Sequence, residues 1–412
     1  MSLDTPRMTP TRRLALLLGP AFVASIAYVD PGNVAANVTA GAKYGFLLLW
    51  VLVMASAMAM LIQYQSAKVG IVTGRSLPAL IGERLSSRGR LAFWAQAEIV
   101  AAATDLAEVV GGAIALRLLF GLPLIVGGLI VGVVSMGLLL LQARRTQRRF
   151  EFVIGALLLI IVIGFLSGLV VNPPSSGDML GGLVPRLEGG ETVLLAASML
   201  GATVMPHVIY LHSALVVDRF GPSREPGRMR SLVRATRWDV GLALLVAGAV
   251  NAALLLLAAQ NLRGKTGTDT IDGAQHVVRD AMGPTIATIF AVGLLASGLA
   301  STSVGCYAGS VIMDGLLKRR VPLVARRALT MVPALVVLGI GFDPTRALVV
   351  SQVVLSFGIP FAVIPLRRIA SDRALLGDFV DGPALRWATG IAATIIVVLN
   401  VVLIGLTVTG RG

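Results

Sequence analysis

Charge is scarce in this chain. Only 14% of its 412 residues are Asp, Glu, Lys or Arg, against 56% hydrophobic, where a soluble domain of that length would carry about 25% charged residues. Cysteine occurs once, at Cys306, so an internal disulfide and a redox framework are both excluded. No low-complexity segment and no soluble domain interrupts the sequence. Histidine is confined to His207, His212 and His276, and no HExxH pattern surrounds them, since His207 is followed by Val208 and His212 by Ser213. A zinc-peptidase reading therefore lacks its motif. What the chain has in abundance is apolar runs of about 20 residues, the length that spans a bilayer. They fall near 14–42, 45–70, 93–118, 121–141, 151–171, 191–217, 239–262, 284–313, 323–341, 344–366 and 386–409. The expected architecture is one all-α, polytopic membrane bundle over residues 1–412. The first run continues through polar residues and lacks a small-residue cleavage site, which argues against a removable signal peptide.

The net charge of +14 would suggest nucleic acid if the basic residues were clustered on a soluble surface. They are distributed by side instead. With the N-terminus inside, eleven spans place Arg7, Arg12 and Arg13, the stretch Lys68 to Arg90, Arg144, Arg145, Arg148 and Arg149, Arg219 to Arg237, Lys318 to Arg320, and Arg367, Arg368 and Arg373 on the cytoplasmic side. The outer connectors hold only scattered cations such as Lys43, Arg186 and Lys265. This is the positive-inside bias. It predicts a cytoplasmic N-terminus and an extracytoplasmic C-terminus, and it needs no nucleic-acid partner. The connector at 267–281 mixes acidic, basic and apolar residues at helical spacing and reads as a short outer surface helix.

Two spans are interrupted halfway. The first holds LGPAFVASIAYVDPGNVAAN and the sixth LLAASMLGATVMPHVIYLHS. Proline removes a backbone donor and clashes with the carbonyl four residues back. Pro31 thus releases the carbonyl of Ala27, and Pro206 that of Ala202. It also pushes the preceding residue, Asp30 or Met205, out of helical geometry. A recurrence five spans later is an odd period, so the second copy enters the membrane from the opposite side. Paired interrupted helices in two inverted halves point to a transporter's binding site. The opened stretches offer one carboxylate (Asp30), one amide (Asn33), backbone carbonyls and one thioether (Met205). That set suits a cation. Mg²⁺ and Ca²⁺ prefer oxygen alone, whereas sulfur favours softer metals such as Mn²⁺, Fe²⁺ or Cd²⁺. A methionine in a span is commonly packing, but an aspartate there costs about 2.5–3.5 kcal/mol and marks function.

The third span, AQAEIVAAATDLAEVVGG, places Glu98, Asp105 and Glu108 on one helix face. Buried carboxylates that close together cannot all ionise comfortably, and chains of Asp, Glu and His inside membranes serve as proton relays. His207 and His212, just after the second break, are candidate partners. Arg326 and Arg327 open the ninth span; they either pair with these carboxylates or belong to the cytoplasmic basic belt. A static salt-bridge scaffold is the competing reading of the whole set.

DPGN in the first span, MPH in the sixth, ATDLAE in the third and SQVVLSFGIPF in the tenth together resemble the Nramp family of proton-coupled divalent metal transporters, and most of all its bacterial manganese-importer branch. The resemblance runs from about residue 14 to 409. It implies a LeuT-like inverted repeat of five plus five helices, about 14–171 and 191–366, with spans one and six unwound and an extra helix at about 386–409. It implies Asp30, Asn33, Met205 and the carbonyls of Ala27 and Ala202 as metal ligands, with Gln352 joining in the occluded state. It implies His207, Glu98, Asp105, Glu108 and Arg327 as the proton path, with His212 further along the inner half of the sixth helix; Arg326 is kept beside them as a candidate from the residue pattern. Methionine is present at 205, whereas relatives that move magnesium differ there. The expected function is import of Mn²⁺, with Fe²⁺ and Cd²⁺ also accepted, across the bacterial plasma membrane by alternating access, driven by co-transported H⁺. No enzyme activity and no cofactor are expected; the partners are the metal ion, protons and the bilayer. The alternative is a sodium-coupled symporter of an organic solute on the same fold, although Asp30 beside the gap would repel a carboxylate substrate.

Overall fold

The computed structural model describes residues 19–143, 147–221, 225–265, 270–318 and 322–409. The start of the first expected span at 14–18, residues 267–269 of the expected outer helix, and Arg7, Arg12, Arg13, Arg144, Arg145, Arg224, Arg319 and Arg320 lie outside the described residues. All eleven expected spans are helical. The first is α1 (Pro20–Ser25), a 3₁₀ turn (Ile26–Val29) and α2 (Pro31–Tyr44). Then follow α3 (Leu49–Thr73), α4 (Leu77–Arg84), α5 (Ser87–Phe120), α6 (Leu124–Ala143), α7 (Gln147–Val171) and α8 (Ser176–Gly182). The sixth span is α9 (Gly189–Thr203) followed by α10 (Pro206–Phe220). The chain continues through α11 (Pro226–Asn261), α12 (Ile271–Met282), α13 (Pro284–Leu317), α14 (Leu323–Gly339), α15 (Pro344–Ala370), α16 (Arg373–Leu376) and α17 (Pro383–Val408). The outer surface helix expected at 267–281 is α12.

The breaks fall where the prolines put them. Asp30 is extended (φ −71°, ψ 166°) and caps α2, its side chain accepting from the Asn33 N–H. Pro31 occupies the first helical position, where its missing donor costs nothing. Met205 is likewise extended (φ −68°, ψ 119°) ahead of Pro206. The carbonyls loosened at the first break are met by side chains from distant helices. Asn251 Nδ2 donates to Tyr28 O at 2.7 Å and Ser297 Oγ to Val29 O at 2.5 Å. A buried backbone acceptor needs such a partner.

α5 and α13 form the longest shared interface, and α13 also packs on α7. Small residues permit the approach: a Cβ on Gly164 of α7 would stand 2.9 Å from the Cα of Gly293 on α13, the small-residue contact of membrane helix pairs. α2 packs on α11, α9 on α15, and α10 on α3, so both broken spans lie inside the bundle. α17 packs on α15 and α9, held by a reciprocal pair in which Ser356 Oγ donates to Asn400 Oδ1 at 2.6 Å and Asn400 Nδ2 to Ser356 O at 3.0 Å. Several helices exceed their expected spans, α5 and α11 by the most. α5 begins at Ser87, and α11 runs for 36 residues, more than a bilayer requires, so its basic first turns extend beyond the apolar stretch.

Candidate functional site

The two breaks meet. Asn33 Nδ2 donates to Asp30 Oδ1 at 2.7 Å and to Ala202 O at 2.9 Å, joining the first span to the sixth across the bundle. Asp30 Oδ1 also accepts the Asn33 backbone N–H at 2.9 Å. Gln352, from α15, reaches in from a third direction, its Nε2 lying 3.3 Å from Asp30 Oδ2. Asp30, Asn33, Met205 and Gln352 are each 0% exposed, so the cage is closed to both sides. Ala202, at the end of α9, is part of it through its carbonyl, and Ala27, on the 3₁₀ turn, is buried.

The donor set is unusual for a protein metal site. Among the described residues no three His, Cys, Asp or Glu side chains gather to hold a metal; this cage has one carboxylate. Its remaining oxygens are the two amides and the Ala202 carbonyl, and the thioether of Met205, just before Pro206, is buried in the core. Asn33 Oδ1 and Gln352 Oε1 are buried without a hydrogen-bond partner. Half a turn of each terminal amide would bring both oxygens towards Asp30 and exchange two N–H donors for two acceptors. A cation seated there would meet carboxylate, amide oxygens and the Ala202 carbonyl, with Met205 at the N-cap of α10 as the soft ligand.

The charged set of α5 lies directly behind this cage. A Cβ on Gly111 would fall 2.0 Å from Pro31 Cβ, so α5 touches the break itself, three residues beyond Glu108. Arg327 is 0% exposed, and its Nη1 stands 2.7 Å from Asp105 Oδ1 and 3.7 Å from Glu108 Oε2. Its remaining donors meet Ser135 Oγ at 3.2 Å and Thr302 Oγ1 at 3.3 Å. Arg326 Nη2 meets Glu98 Oε1 at 2.8 Å, at the more exposed end of the row. Both arginines are thus paired inside the bundle, which decides the alternative that the sequence left open. His207 contacts α5 through Thr104, with 3.4 Å between its Nδ1 and the hydroxyl. Thr104 adjoins Asp105, so the imidazole that follows the second break reaches the carboxylate helix through one hydroxyl, while its Nε2 has no hydrogen-bond partner.

His212 stands apart from that row. Its Nδ1 lies 2.9 Å from Gln63 Oε1 on α3, and Gln63 in turn donates to the Tyr28 hydroxyl on the first break. Tyr28, Gln63, Thr104, Asn251 and Ser297 were not singled out by the sequence reading. Their only signal is an uncharged polar side chain in an apolar span. Asp239 was missed too. Its carboxylate accepts the N–H groups of Gly19 at 3.1 Å and Ala21 at 2.9 Å, tying the start of α1 to α11. An anion at that end of a helix satisfies free donors and the helix dipole together.

The sequence pattern described as Natural resistance-associated macrophage protein-like, Nramp, matches residues 21–406. The chain is 61% identical over 394 residues to the divalent metal cation transporter MntH of Mycobacterium tuberculosis, covering 96% of this chain and 92% of that protein. Its fold matches the crystal structure of the Eremococcus coleocola manganese transporter with a TM-score of 0.86 at 30% identity, over 97% of this chain and 88% of that one. A nucleobase-cation-symport-1 family transporter matches with a TM-score of 0.63 at 15% identity, over 94% of this chain and 90% of that one; that likeness is one of fold, the LeuT-like inverted repeat.

Proposed function

The chain belongs to the Nramp family, and from that premise we propose that this multi-pass membrane protein imports divalent transition-metal ions, Mn²⁺ foremost and Fe²⁺ with it, by alternating access coupled to inward proton movement. The observation that carries the reading is the closed cage. One buried carboxylate is met by the amides of Asn33 and Gln352 and, through Asn33, by the Ala202 carbonyl; both amide oxygens lack a donor, and with buried Met205 at the second break they make the set we infer to favour a borderline-soft dication over Mg²⁺.

The cation enters between the broken helices from outside, and Asn33 and Gln352 turn their oxygens inward to replace lost water. The Asp30 carboxylate must be ionised to bind it, so loading releases any proton held there. His207 and Thr104 provide the bridge from the cage to Asp105. A proton arriving on Asp105 weakens its pair with Arg327, and the row to Glu98 and Arg326 leads it towards the cytoplasm. The inside-negative potential adds about 2.3 kcal/mol per charge per 100 mV, which favours inward movement of a dication. The plasma membrane with the N-terminus inside is the location this direction requires.

Uptake of Mn²⁺ into proteoliposomes with internal pH recorded tests the reading, with Na⁺, Mg²⁺ and Ca²⁺ varied. Mn²⁺ accumulation with internal acidification and no need for Na⁺ is expected; dependence on Na⁺ would favour the symporter alternative. Asp30→Ala should abolish calorimetric Mn²⁺ binding. Met205→Ala should reduce discrimination against Ca²⁺ and Mg²⁺ more than it reduces Mn²⁺ uptake, and unchanged selectivity would remove the sulfur from the ligand set.

A further inference from the structure

The face of α11 that turns away from the bundle carries a row the transport site does not use. Arg230, Arg234 and Arg237 are all exposed. At about 100° per residue the three fall within roughly 60° of arc, spread over about 10 Å of axis. Trp238, 57% exposed, borders the same face, and Leu242 and Leu245, 42% and 61% exposed, continue it. The level of the bilayer follows from these residues. α11 has 36 residues, about 54 Å of helix, and the hydrocarbon layer takes about 30 Å. Counting back from its outer end, the apolar stretch is used up near Trp238, and tryptophan is the residue that settles at the membrane–water boundary. The arginine row therefore stands in the cytoplasmic headgroup layer, directly above leucines that face lipid tails. None of the three is held by a carboxylate among the described residues. Three unpaired guanidinium groups in one stripe repel each other unless an anion lies along them, and a guanidinium binds phosphate oxygens in bidentate fashion.

We propose that Arg230, Arg234 and Arg237 form a binding site for an anionic phospholipid, its phosphate on the arginine row and its acyl chains along Trp238, Leu242 and Leu245. The occupant is a lipid and not a soluble anion because the row continues without interruption into an apolar, lipid-facing surface. The site has a bearing on transport, since Asp239 lies on the opposite side of the same turn and holds Gly19 and Ala21 at the start of α1. A lipid on the row would steady the turn to which the first broken helix is tied.

The test uses the full chain in phosphatidylcholine vesicles carrying trace spin-labelled phosphatidylglycerol or spin-labelled phosphatidylcholine, with the motionally restricted fraction of each label measured. The wild type should retain phosphatidylglycerol in preference to phosphatidylcholine. Each arginine near the surface contributes about fivefold to anionic-lipid association, so the triple variant R230Q/R234Q/R237Q should reduce that preference at least about threefold even after averaging over the remaining annulus. The triple Lys variant should keep most of it, and R88Q/R90Q, cations of another helix, should leave it unchanged. Mn²⁺ binding by calorimetry confirms that each variant is folded, and R234Q alone replaces the triple variant if that one does not fold. An unchanged preference in the Gln variants, an equal loss in R88Q/R90Q, or release of the labelled lipid by inorganic phosphate would overturn the proposal. Because the readout is lipid association, it holds or fails independently of which metal is carried.

Discussion

A single methyl group at Gly32 tests whether Gln352 belongs to the cage. A Cβ built there would lie 1.7 Å from Gln352 Nε2, 2.3 Å from its Cδ and 2.9 Å from its Cγ. All three atoms belong to a flexible side chain, so Gly32→Ala displaces Gln352 and leaves the backbone in place. Gly32 is the second residue of α2, where alanine is favoured over glycine by about 0.5–1 kcal/mol; helix stability therefore does not fall. The loss is local: the Gln352 amide leaves Asp30 Oδ2, 3.3 Å away. The displaced amide would then no longer offer its oxygen to a cation, and removing one such partner typically costs about ten- to hundredfold in metal affinity. Calorimetry on Gly32→Ala, Gln352→Ala and the double variant completes the cycle. If the methyl acts through Gln352, it costs almost nothing once Gln352 is already alanine, and the coupling equals nearly the whole single effect. Additive losses would show that the methyl distorts the break itself, and a wild-type affinity in Gly32→Ala would remove Gln352 from the site.

Three further perturbations address other parts of the structure. Arg327→Gln leaves Asp105 and Glu108 buried without their cation, a change that costs about 3–5 kcal/mol. It should lower the apparent melting temperature sharply, and Arg327→Gln with Asp105→Asn should recover much of the loss, whereas equal melting of both variants would deny the pair its structural weight. Asp239→Asn removes the charge at the start of α1, a cap worth about 0.5–2 kcal/mol. Ser25, 0% exposed, replaced by cysteine in a Cys306→Ser background, should then react several-fold faster with a thiol reagent; an unchanged rate would mean that α1 is held elsewhere. Asn33→Asp adds a second carboxylate to the cage, so equilibrium Mn²⁺ binding should tighten while uptake slows, and faster uptake would contradict a release-limited cage.

The eleven spans and both breaks were legible because each leaves a local mark: a run of apolar residues, or an X-Pro step with polar neighbours at mid-span. Asp30, Asn33 and Met205 lie at those marks. The partners that complete the site leave none. Gln352 is 322 positions from Asp30 in sequence, and only the family resemblance pointed to it. Asn251, Ser297 and Gln63 are uncharged polar residues in apolar helices, where such a residue is compatible with many roles. The pair Arg326 and Arg327 opens a helix beside a basic connector, so composition alone fits the cytoplasmic belt equally well. Their carboxylates lie more than 200 positions earlier, and only packing of α14 on α5 decides between the readings. Asp239 was hidden by the expected span boundary, which placed it at the very start of the seventh span instead of a third of the way along a longer helix.

If the cage holds the cargo as proposed, its economy explains why a carrier would use amides instead of further carboxylates. Asp30 Oδ1 takes two N–H donors from Asn33, and Oδ2 faces the Gln352 amide. The carboxylate is therefore stabilised by neutral dipoles, and it does not need a metal to be tolerated in a closed, apolar bundle. The cost falls on Asn33 Oδ1 and Gln352 Oε1, each buried without a donor, at about 1–3 kcal/mol apiece. A cation reverses the arrangement: the oxygens gain a partner and the N–H groups give theirs up. Because the same two amides serve both states, loading exchanges one set of imperfect contacts for another, and the net affinity is small compared with the sum of the ligand bonds. A second carboxylate in place of either amide would break that balance, leaving an uncompensated charge once the ion had left. Moderate affinity in both directions is what the proposed alternating access demands, and one acid flanked by reversible amides would supply it.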